Sequence, residues 1–399
     1  MGPLPGIRVI ELAHIMAGPA CGMMLADMGA DVVKVEKVPG GDDTRRSVPP
    51  DIDGESAAFM MMNRNKRGIA VDLKSDAGKK IVRRLIDSAD VVIENYRKGT
   101  MQRLGLSYES LAERNPGLIY CEISGFGRTG PYAQRAGFDL IAQAMSGLMS
   151  ITGEGPGRAP VKCGAPITDI TAGILGAMGV LAAYVHRLQT GRGQRVDTSL
   201  FEAGIVHTFW QSAIALATGT PPTAMASAHP LNAPYQAFAT ADGWVTIGAA
   251  NQANWLKLLD ALEAGELQQD PRFANNNARM QHLDELEQTL TSITKQRDTS
   301  EWLRRFDVAG VPAAPILDIV AMHADPQTQA RDMITTVTHQ RLGAVRTIGH
   351  PVKYSATPAQ VSRGAPQYGE HTREVLAQHD FSTREIEQLI AERAVAAGQ

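Results

Sequence analysis

Cysteine is scarce in this chain. Cys21, Cys121 and Cys163 are the only three, they lie far apart, and none belongs to a C-x-x-C pair. That excludes a disulfide framework and the common thiolate zinc sites, and it fits a reducing compartment. There is no H-E-x-x-H or H-x-x-x-H, so no metal centre is expected. G-x-G-x-x-G is missing after the first strand-like run and G-x-x-x-x-G-K-[ST] is missing altogether, which excludes the dinucleotide fingerprint and the common nucleotide triphosphatases. Ser199 stands in D-T-S-L-F rather than in G-x-S-x-G, so no hydrolase elbow is implied. Aromatic residues make up only 5% of the chain, while Gly, Ala and Met are plentiful. That mix suits close helix packing better than a β-sandwich. Net charge is only −3, which gives no bulk attraction to nucleic acid or to an anionic membrane. The N-terminus, M-G-P-L-P-G-I-R, has no apolar signal core. The longest apolar run has roughly 16 residues, short of a membrane span. A soluble cytoplasmic protein with no nucleic-acid or membrane partner is expected.

At 399 residues the chain is long enough for two or three domains. Its first half alternates short β-rich runs with helical ones. Strands are expected at 7–12, 31–36, 68–73, 90–95, 118–124 and 195–198, with helices at 20–28, 75–88 and 139–149. Gly18-Pro19 opens the first helix and Gly29 stops it. Such alternation predicts an α/β fold, an open doubly wound sheet with right-handed crossovers. Ligands in such sheets bind at the carboxyl ends of the strands, so the loops after Leu12, Glu36, Asn95 and Ser124 are the places to look. Residues 201–217 are expected to be apolar and helical, followed by a Pro- and Thr-rich linker from Thr218 to Pro234. A smaller α+β domain follows, with helices near 254–264, 283–295 and 299–309. The division is 1–219 for the large domain, 220–325 for the small domain with its linker, and 326–399 for a return segment. The return segment carries short strands and a final helix near 382–394. Of the tryptophans, Trp210, Trp244, Trp255 and Trp302 are expected in the core or at an interface.

The stretch from Pro166 to Leu188, P-I-T-D-I-T-A-G-I-L-G-A-M-G-V-L-A-A-Y-V-H-R-L, reads as a buried helix. Its only charged residue before His186 is Asp169. Gly173, Gly176 and Gly179 recur every third residue, although each costs a helix up to ~1 kcal/mol against Ala. Another backbone is therefore expected to pack closely on that face. Two readings of Asp169 stand. It is an N-cap, its carboxylate satisfying a first-turn amide, or it is a carboxylate held in an apolar, Gly-lined site as nucleophile or base.

Cationic residues cluster around three strands. Lys37, Arg45 and Arg46 follow the second. Arg64, Lys66, Arg67 and Lys74 bracket the third. Arg97, Lys98 and Arg103 follow the fourth. Gathered at one end of a sheet they would suit a polyphosphate, with Tyr96 and Met16 as an apolar wall for an adenine or a pantetheine arm. Singly, each is a solvated charge. His14, in the loop after the first strand, is either a binding residue or a structural hydrogen-bonder.

Several of these segments, in this order, resemble the class III CoA-transferases, a family that includes formyl-CoA transferase and carnitine CoA-transferase and has α-methylacyl-CoA racemase as a relative. The resemblance runs through I-R-V-I-E-L-A-H-I-M-A-G-P, G-A-D-V-V-K-V-E-K, N-R-N-K-R-G-I-A-V-D-L-K, A-D-V-V-I-E-N-Y, and D-I-T-A-G followed by T-G-R-G-Q. R-A-G-F-D, P-I-T-D-I-T-A-G and A-P-Y-Q-A-F look most like the succinyl-CoA:glutarate, or dicarboxylate, branch. The resemblance implies a Rossmann-like large domain in an interlocked homodimer. It implies that CoA is a substrate and not a tightly bound cofactor, and that Asp169 is the nucleophile that forms anhydride and thioester intermediates. It also implies CoA contacts at Met16, Ala17, Lys37, Val71, Lys74, Asn95, Tyr96 and Arg103, with His14 and Asp139 near the substrate. Lys37 stands where the family often has Arg, which keeps the charge but loses the planar fork. His229 to Pro234 replaces a Gly-rich flap of formyl-CoA transferase, which points to a larger acceptor acid. Two further functions fit the same residues: a 2-methylacyl-CoA racemase, with a histidine as proton partner to Asp169, and a non-catalytic acyl-CoA-binding protein.

Overall fold

The computed structural model describes residues 2–398. They form two compact units. The first comprises residues 2–147, 163–207 and 326–398, and the second comprises 148–162 and 208–325.

The first unit is built on a seven-stranded sheet. Its strands are β1 (Arg8–Leu12), β2 (Asp31–Lys37), β3 (Arg67–Val71), β4 (Val91–Glu94), β5 (Ile119–Ser124), β6 (Arg195–Ser199) and a short last strand, Val395–Ala396. The first six are parallel in the order β3-β2-β1-β4-β5-β6, and Val395–Ala396 pairs antiparallel with β3 at the edge. This is the doubly wound arrangement. The chain starts at the centre, winds out to β3, then returns to β1's other side. The winding reverses between β1 and β4, and the loops leaving those two strands form the ligand crevice of such sheets.

Both faces of the sheet are covered, which is why its strands read as runs of Val and Ile. On one face Val9, Val32, Val91, Ile93, Ile119 and Cys121 pack beneath α1 (Ala17–Asp27). The other face is covered by α2 (Asp76–Asp87) and by the C-terminal helices Thr372–Gln378 and Thr383–Ala391. Three further helices belong to the first unit: α3 (Asp139–Met145), α4 (Ile167–Thr190) and α5 (Leu200–Val206).

Helix α4 is the stretch that the glycines single out. A Cβ on Gly173 would lie 2.7 Å from Ala20 Cβ and 2.8 Å from the Ala17 carbonyl oxygen. On Gly176 it would meet Ile123, Cys21 and Cys121, and on Gly179 it would meet Val196 at 2.5 Å. The stripe therefore lays α4 against α1, β5 and β6 at backbone distance. The helix is not buried all round, however. Its opposite face, Ile170, Ile174, Met178, Val185 and Leu188, is exposed, Leu188 by 68%. The small residues bring one face into contact and leave the other, apolar face exposed.

In the second unit, the hairpin Tyr235–Ala239 and Trp244–Gly248 joins Ala313–Pro315 in a three-stranded antiparallel sheet. Trp255, Trp302, Phe238, Phe273 and Phe306 fill its core, whereas Trp210 and Trp244 are more than half exposed. Residues 200–218 are helical as expected, in two helices with a break at His207 and Thr208.

Candidate active site

The loops leaving β1 and β4 are tied to each other. The Asn95 side chain accepts from the His14 amide (3.0 Å) and donates to the His14 carbonyl (2.8 Å). The His14 and Tyr96 rings meet edge to face at 5.5 Å. Burial lowers the His14 pKa. Ile15, next in the chain, has φ = 67°, a left-handed conformation that a β-branched residue avoids. Its amide donates to Asp42 Oδ1 (3.2 Å).

A charged network beneath the loop holds that conformation. The Lys34 ammonium reaches Glu11 (3.1 Å), Asp42 (2.9 Å) and the Ala13 carbonyl (2.8 Å). The Lys66 ammonium reaches Glu11 (2.8 Å), Asn63 Oδ1 (2.8 Å) and the Pro19 carbonyl (2.9 Å). The side chains of Lys34, Lys66 and Glu11 are fully buried. Burial lowers the Lys66 pKa to about 8, against the pull of Glu11. Asp42 lies well below the usual carboxylate range, because Lys34 and the Thr44 donors outweigh its burial. Two carbonyls of the 13–19 segment are thus pinned from below by ammonium groups.

This overturns part of the basic-loop expectation. Arg64 and Lys66 precede β3 and Arg67 opens it, so they lie away from its carboxyl end, and they point inward. Arg64 pairs with Asp27 (2.6 Å), and Arg67 pairs with Asp31 (2.5 Å) and Glu374 (2.9 Å). Arg45 is held by Glu36 (2.7 Å). Their charges are spent inside the protein. The cations left at the surface near the strand ends are Lys37, Arg46, Lys74, Arg97, Lys98 and Arg103. Lys37 contacts Asp43 at 2.5 Å and Arg103 contacts Thr100 at 3.0 Å.

A cleft of about 460 Å³ opens at this end of the sheet. It is lined by His14, Ile15, Asn95 and Tyr96 on one side and by the 124–138 loop on the other, with Arg97, Lys98, Arg128 and Arg135 among its walls. Arg128 spans its floor, bonded to Glu94 and Glu122 and to the Tyr96 carbonyl. Burial, opposed by Arg128, raises the Glu94 pKa to about 8. Glu94, paired with Arg128, therefore keeps its proton to a higher pH than an ordinary carboxyl. Neither Glu94 nor Arg128 is evident in the sequence, where each is one more charge in a charged loop.

Asp169 lies in the first turn of α4, beyond the end of that loop. It is not the N-cap. Pro166 occupies that position and no side chain caps it. The amide of Thr168 is instead satisfied by a carboxylate from elsewhere, Asp139 Oδ1 at 3.0 Å, which leaves Asp169 with no capping role. Among the described residues the Asp169 carboxylate has no hydrogen-bond or ion-pair partner. Burial, and then the charge of Asp139, raise its pKa from 3.8 to about 6. One turn on, Gly173 rests on Ala17. Residues four apart share a helix face, so Asp169 looks toward the start of α1, where Met16 is half-buried and Ala17 buried.

The first unit thus brings together His14, Met16, Ala17, Asn95, Tyr96, Asp139 and Asp169 at one end of its sheet. Lys37, Lys74 and Arg103 are exposed at or beyond the carboxyl ends of β2, β3 and β4. Val71 offers no side-chain surface, being fully buried at the end of β3 between Lys37 and Val395. Taken together, the first unit carries a doubly wound sheet without a dinucleotide loop, a basic-walled cleft at its switch point, and a partly desolvated carboxylate at the head of α4.

Comparison with known proteins identifies the family. The model of CoA-transferase family III matches residues 4–372, and the chain belongs to this family. It is 43% identical to a succinate–glutarate CoA-transferase of Agrobacterium fabrum over 94% of this chain and 95% of that protein. A succinyl-CoA:mesaconate CoA-transferase of Haloarcula hispanica is 38% identical, over 96% and 98% of the two chains. Among solved structures, a CAIB/BAIF family protein from Brucella suis superposes with a TM-score of 0.85 at 42% identity, over 95% of this chain and all of that one.

Proposed function

We propose that the protein transfers CoA from succinyl-CoA to another dicarboxylic acid, with Asp169 as the nucleophile. The observation that carries this reading is the Asp169 carboxylate: half-buried, without a partner, and raised to about 6. A carboxylate stripped of solvent is a stronger nucleophile than one in water. A carboxylate oxygen of Asp169 attacks the thioester carbonyl, the C–S bond breaks, and CoA leaves as thiolate. The thiolate then attacks the Asp169 carbonyl of the mixed anhydride and releases succinate, leaving an aspartyl-CoA thioester. The acceptor carboxylate attacks that carbonyl and expels the thiolate. The thiolate returns to the acceptor's own carbonyl and frees Asp169. No net proton is consumed. The N-terminal end of α4 stabilises the oxyanion that forms at each step.

CoA lies along Met16, Ala17, Asn95 and Tyr96, with its phosphates toward Lys37, Lys74 and Arg103 and the strand end at Val71 supplying main chain only. His14 faces the acyl end of the same cleft. The enzyme works in the cytoplasm as a homodimer of interlocked chains. The dimer is supported by the exposed apolar stripe of α4, Ile170, Ile174, Met178, Val185 and Leu188, which is too continuous to be left in water.

The test is intact-mass analysis after mixing the protein with succinyl-CoA, followed by hydroxylamine trapping and peptide mapping. An adduct on Asp169, absent from Asp169→Ala, is the expected result. If no adduct forms but a chiral 2-methylacyl-CoA loses its α-proton to deuterated solvent, the scaffold is a racemase and Asp169 a base. Binding of CoA with neither reaction would make it a non-catalytic carrier.

A further inference from the structure

Asp139 occupies the first helical position of α3, yet its side chain is engaged within the protein. Oδ1 accepts both the amide (3.0 Å) and the hydroxyl (2.8 Å) of Thr168. Oδ2 accepts from Gln143 Nε2 (2.7 Å), and Gln143 Oε1 in turn accepts from the Cys163 amide (2.9 Å). Gln143 and Thr168 are fully buried. Of the roughly four acceptor positions of a carboxylate, three are occupied by partners inside the protein. The chain entering α4 is therefore fastened to α3 at two points, Cys163 and Thr168, and Thr168 is the residue directly before Asp169.

We propose that Asp139 is a positioning residue for the nucleophile, holding the first turn of α4 through Thr168 while Gln143 locks the Asp139 carboxylate in place. This inference rests on the nucleophilic reading of Asp169 and replaces the substrate contact that family resemblance suggests for Asp139. Geometry and charge agree here. Asp139 is the charged group that, after burial, acts on the Asp169 carboxyl. The other titratable groups on elements packed against the start of α4 are engaged or inert. Glu202 on α5 bonds Ser199, His207 at its end bonds Thr171 (2.7 Å), and Cys21 on α1 is a buried thiol whose pKa is pushed up by its contact with Cys121 and by burial.

The hydrogen-bond pattern supplies its own rescue. In Asp139→Asn, an Oδ1 remains for Thr168, but an amide nitrogen now faces the Gln143 amide nitrogen, donor against donor. Adding Gln143→Glu restores an acceptor there and still accepts from the Cys163 amide. The experiment follows adduct formation on Asp169 from succinyl-CoA in time by intact mass, with steady-state transfer to glutarate alongside. The single variant is expected to slow adduct formation at saturating acyl-CoA about tenfold or more, with both KM values within about twofold, because small displacements of a reacting group are costly. The double variant is expected to recover to within about threefold of wild type, the signature of coupled neighbours. A loss confined to the KM of the acceptor acid would show that Asp139 touches substrate and overturn the proposal. So would a double variant as slow as the single one with a wild-type unfolding midpoint. If Asp139→Asn folds poorly, Thr168→Val removes one of the two bonds and should slow the step a few-fold. An unchanged rate in that variant also overturns the proposal. Failure of the nucleophilic reading is seen separately, as absence of the adduct in the wild type.

Discussion

Replacing Gly173 by Ala tests how the Asp169 carboxylate is placed. The change should help an isolated helix by about 1 kcal/mol. In this fold it does the opposite. The new Cβ would sit 2.7 Å from Ala20 Cβ and 2.8 Å from the Ala17 carbonyl oxygen, against 3.4 Å for the near edge of ordinary contact. Neither neighbour can swing away, since one is backbone and the other a methyl fixed to it. Helix α4 must move out by about 0.6–0.7 Å at this turn, one turn from Asp169, and overpacking of this kind costs about 1–3 kcal/mol. The net expectation is a destabilisation of about 1–2 kcal/mol in chemical denaturation. Adduct formation on Asp169 should slow about 10- to 100-fold, because a shift approaching 1 Å between reacting groups has that effect. Gly179→Ala is the internal control. Its close contact is a side-chain methyl of half-buried Val196, with the next atoms at 3.8 Å or beyond, so Val196 can rotate and the rate should stay within about twofold. If Gly173→Ala loses stability but keeps the full adduct rate, the contact with α1 does not set the position of Asp169. If the two variants behave alike, the backbone-against-side-chain distinction is wrong.

Three further outcomes are expected. The rate of adduct formation should rise with pH through a midpoint of about 6, where the Asp169 carboxyl loses its proton, and a flat rate between pH 5 and 7 would refute the reading. Its folded pKa lies above the ordinary value, so the stability it contributes is present at low pH and is lost as pH rises through about 6. Asp169→Asn should therefore raise stability above that pH by about 1–2 kcal/mol, after allowance for partial solvent access. Ile15→Gly should relieve a strained backbone of φ = 67°, raising the unfolding free energy by about 1 kcal/mol, while the loosened loop weakens KM for acyl-CoA a few-fold. A lower unfolding midpoint would count against strain at Ile15. Gly22→Ala would place a Cβ 1.9 Å from Glu11 Oε2, forcing Glu11 off Lys66 and leaving buried charge uncompensated. A loss of about 3–5 kcal/mol is expected, read as a large drop in denaturation midpoint, and a near-neutral result would mean that the network is not holding the 13–19 segment.

Period and punctuation were enough to read the sheet. Runs such as V-V-I-E and D-V-V-K-V-E between helical stretches announced parallel strands buried on both faces. Gly29 and Gly18-Pro19 marked the ends of α1. The repeat of Gly173, Gly176 and Gly179 announced a close backbone neighbour, because glycine is tolerated in a helix only where something replaces the lost stability. Asp169 was legible as a site because it is the lone charge at the head of an apolar run. Local pattern could not say whether that carboxylate caps its own helix. The answer came from Asp139, thirty residues earlier, which takes the Thr168 amide and frees Asp169. Nor could it separate cations that face a ligand from cations that face the core. Arg64, Lys66 and Arg67 look like Lys37 and Arg103 in one dimension, but their partners Asp27, Glu11 and Asp31 lie on α1, β1 and β2. The strain at Ile15 and the Glu94–Arg128 floor were equally hidden. Hydrophobic periodicity is a property of neighbours along the chain, so sequence carries it. Ion pairing and burial of charge depend on which distant segments the sheet order brings within hydrogen-bond reach, and only the tertiary structure decides that.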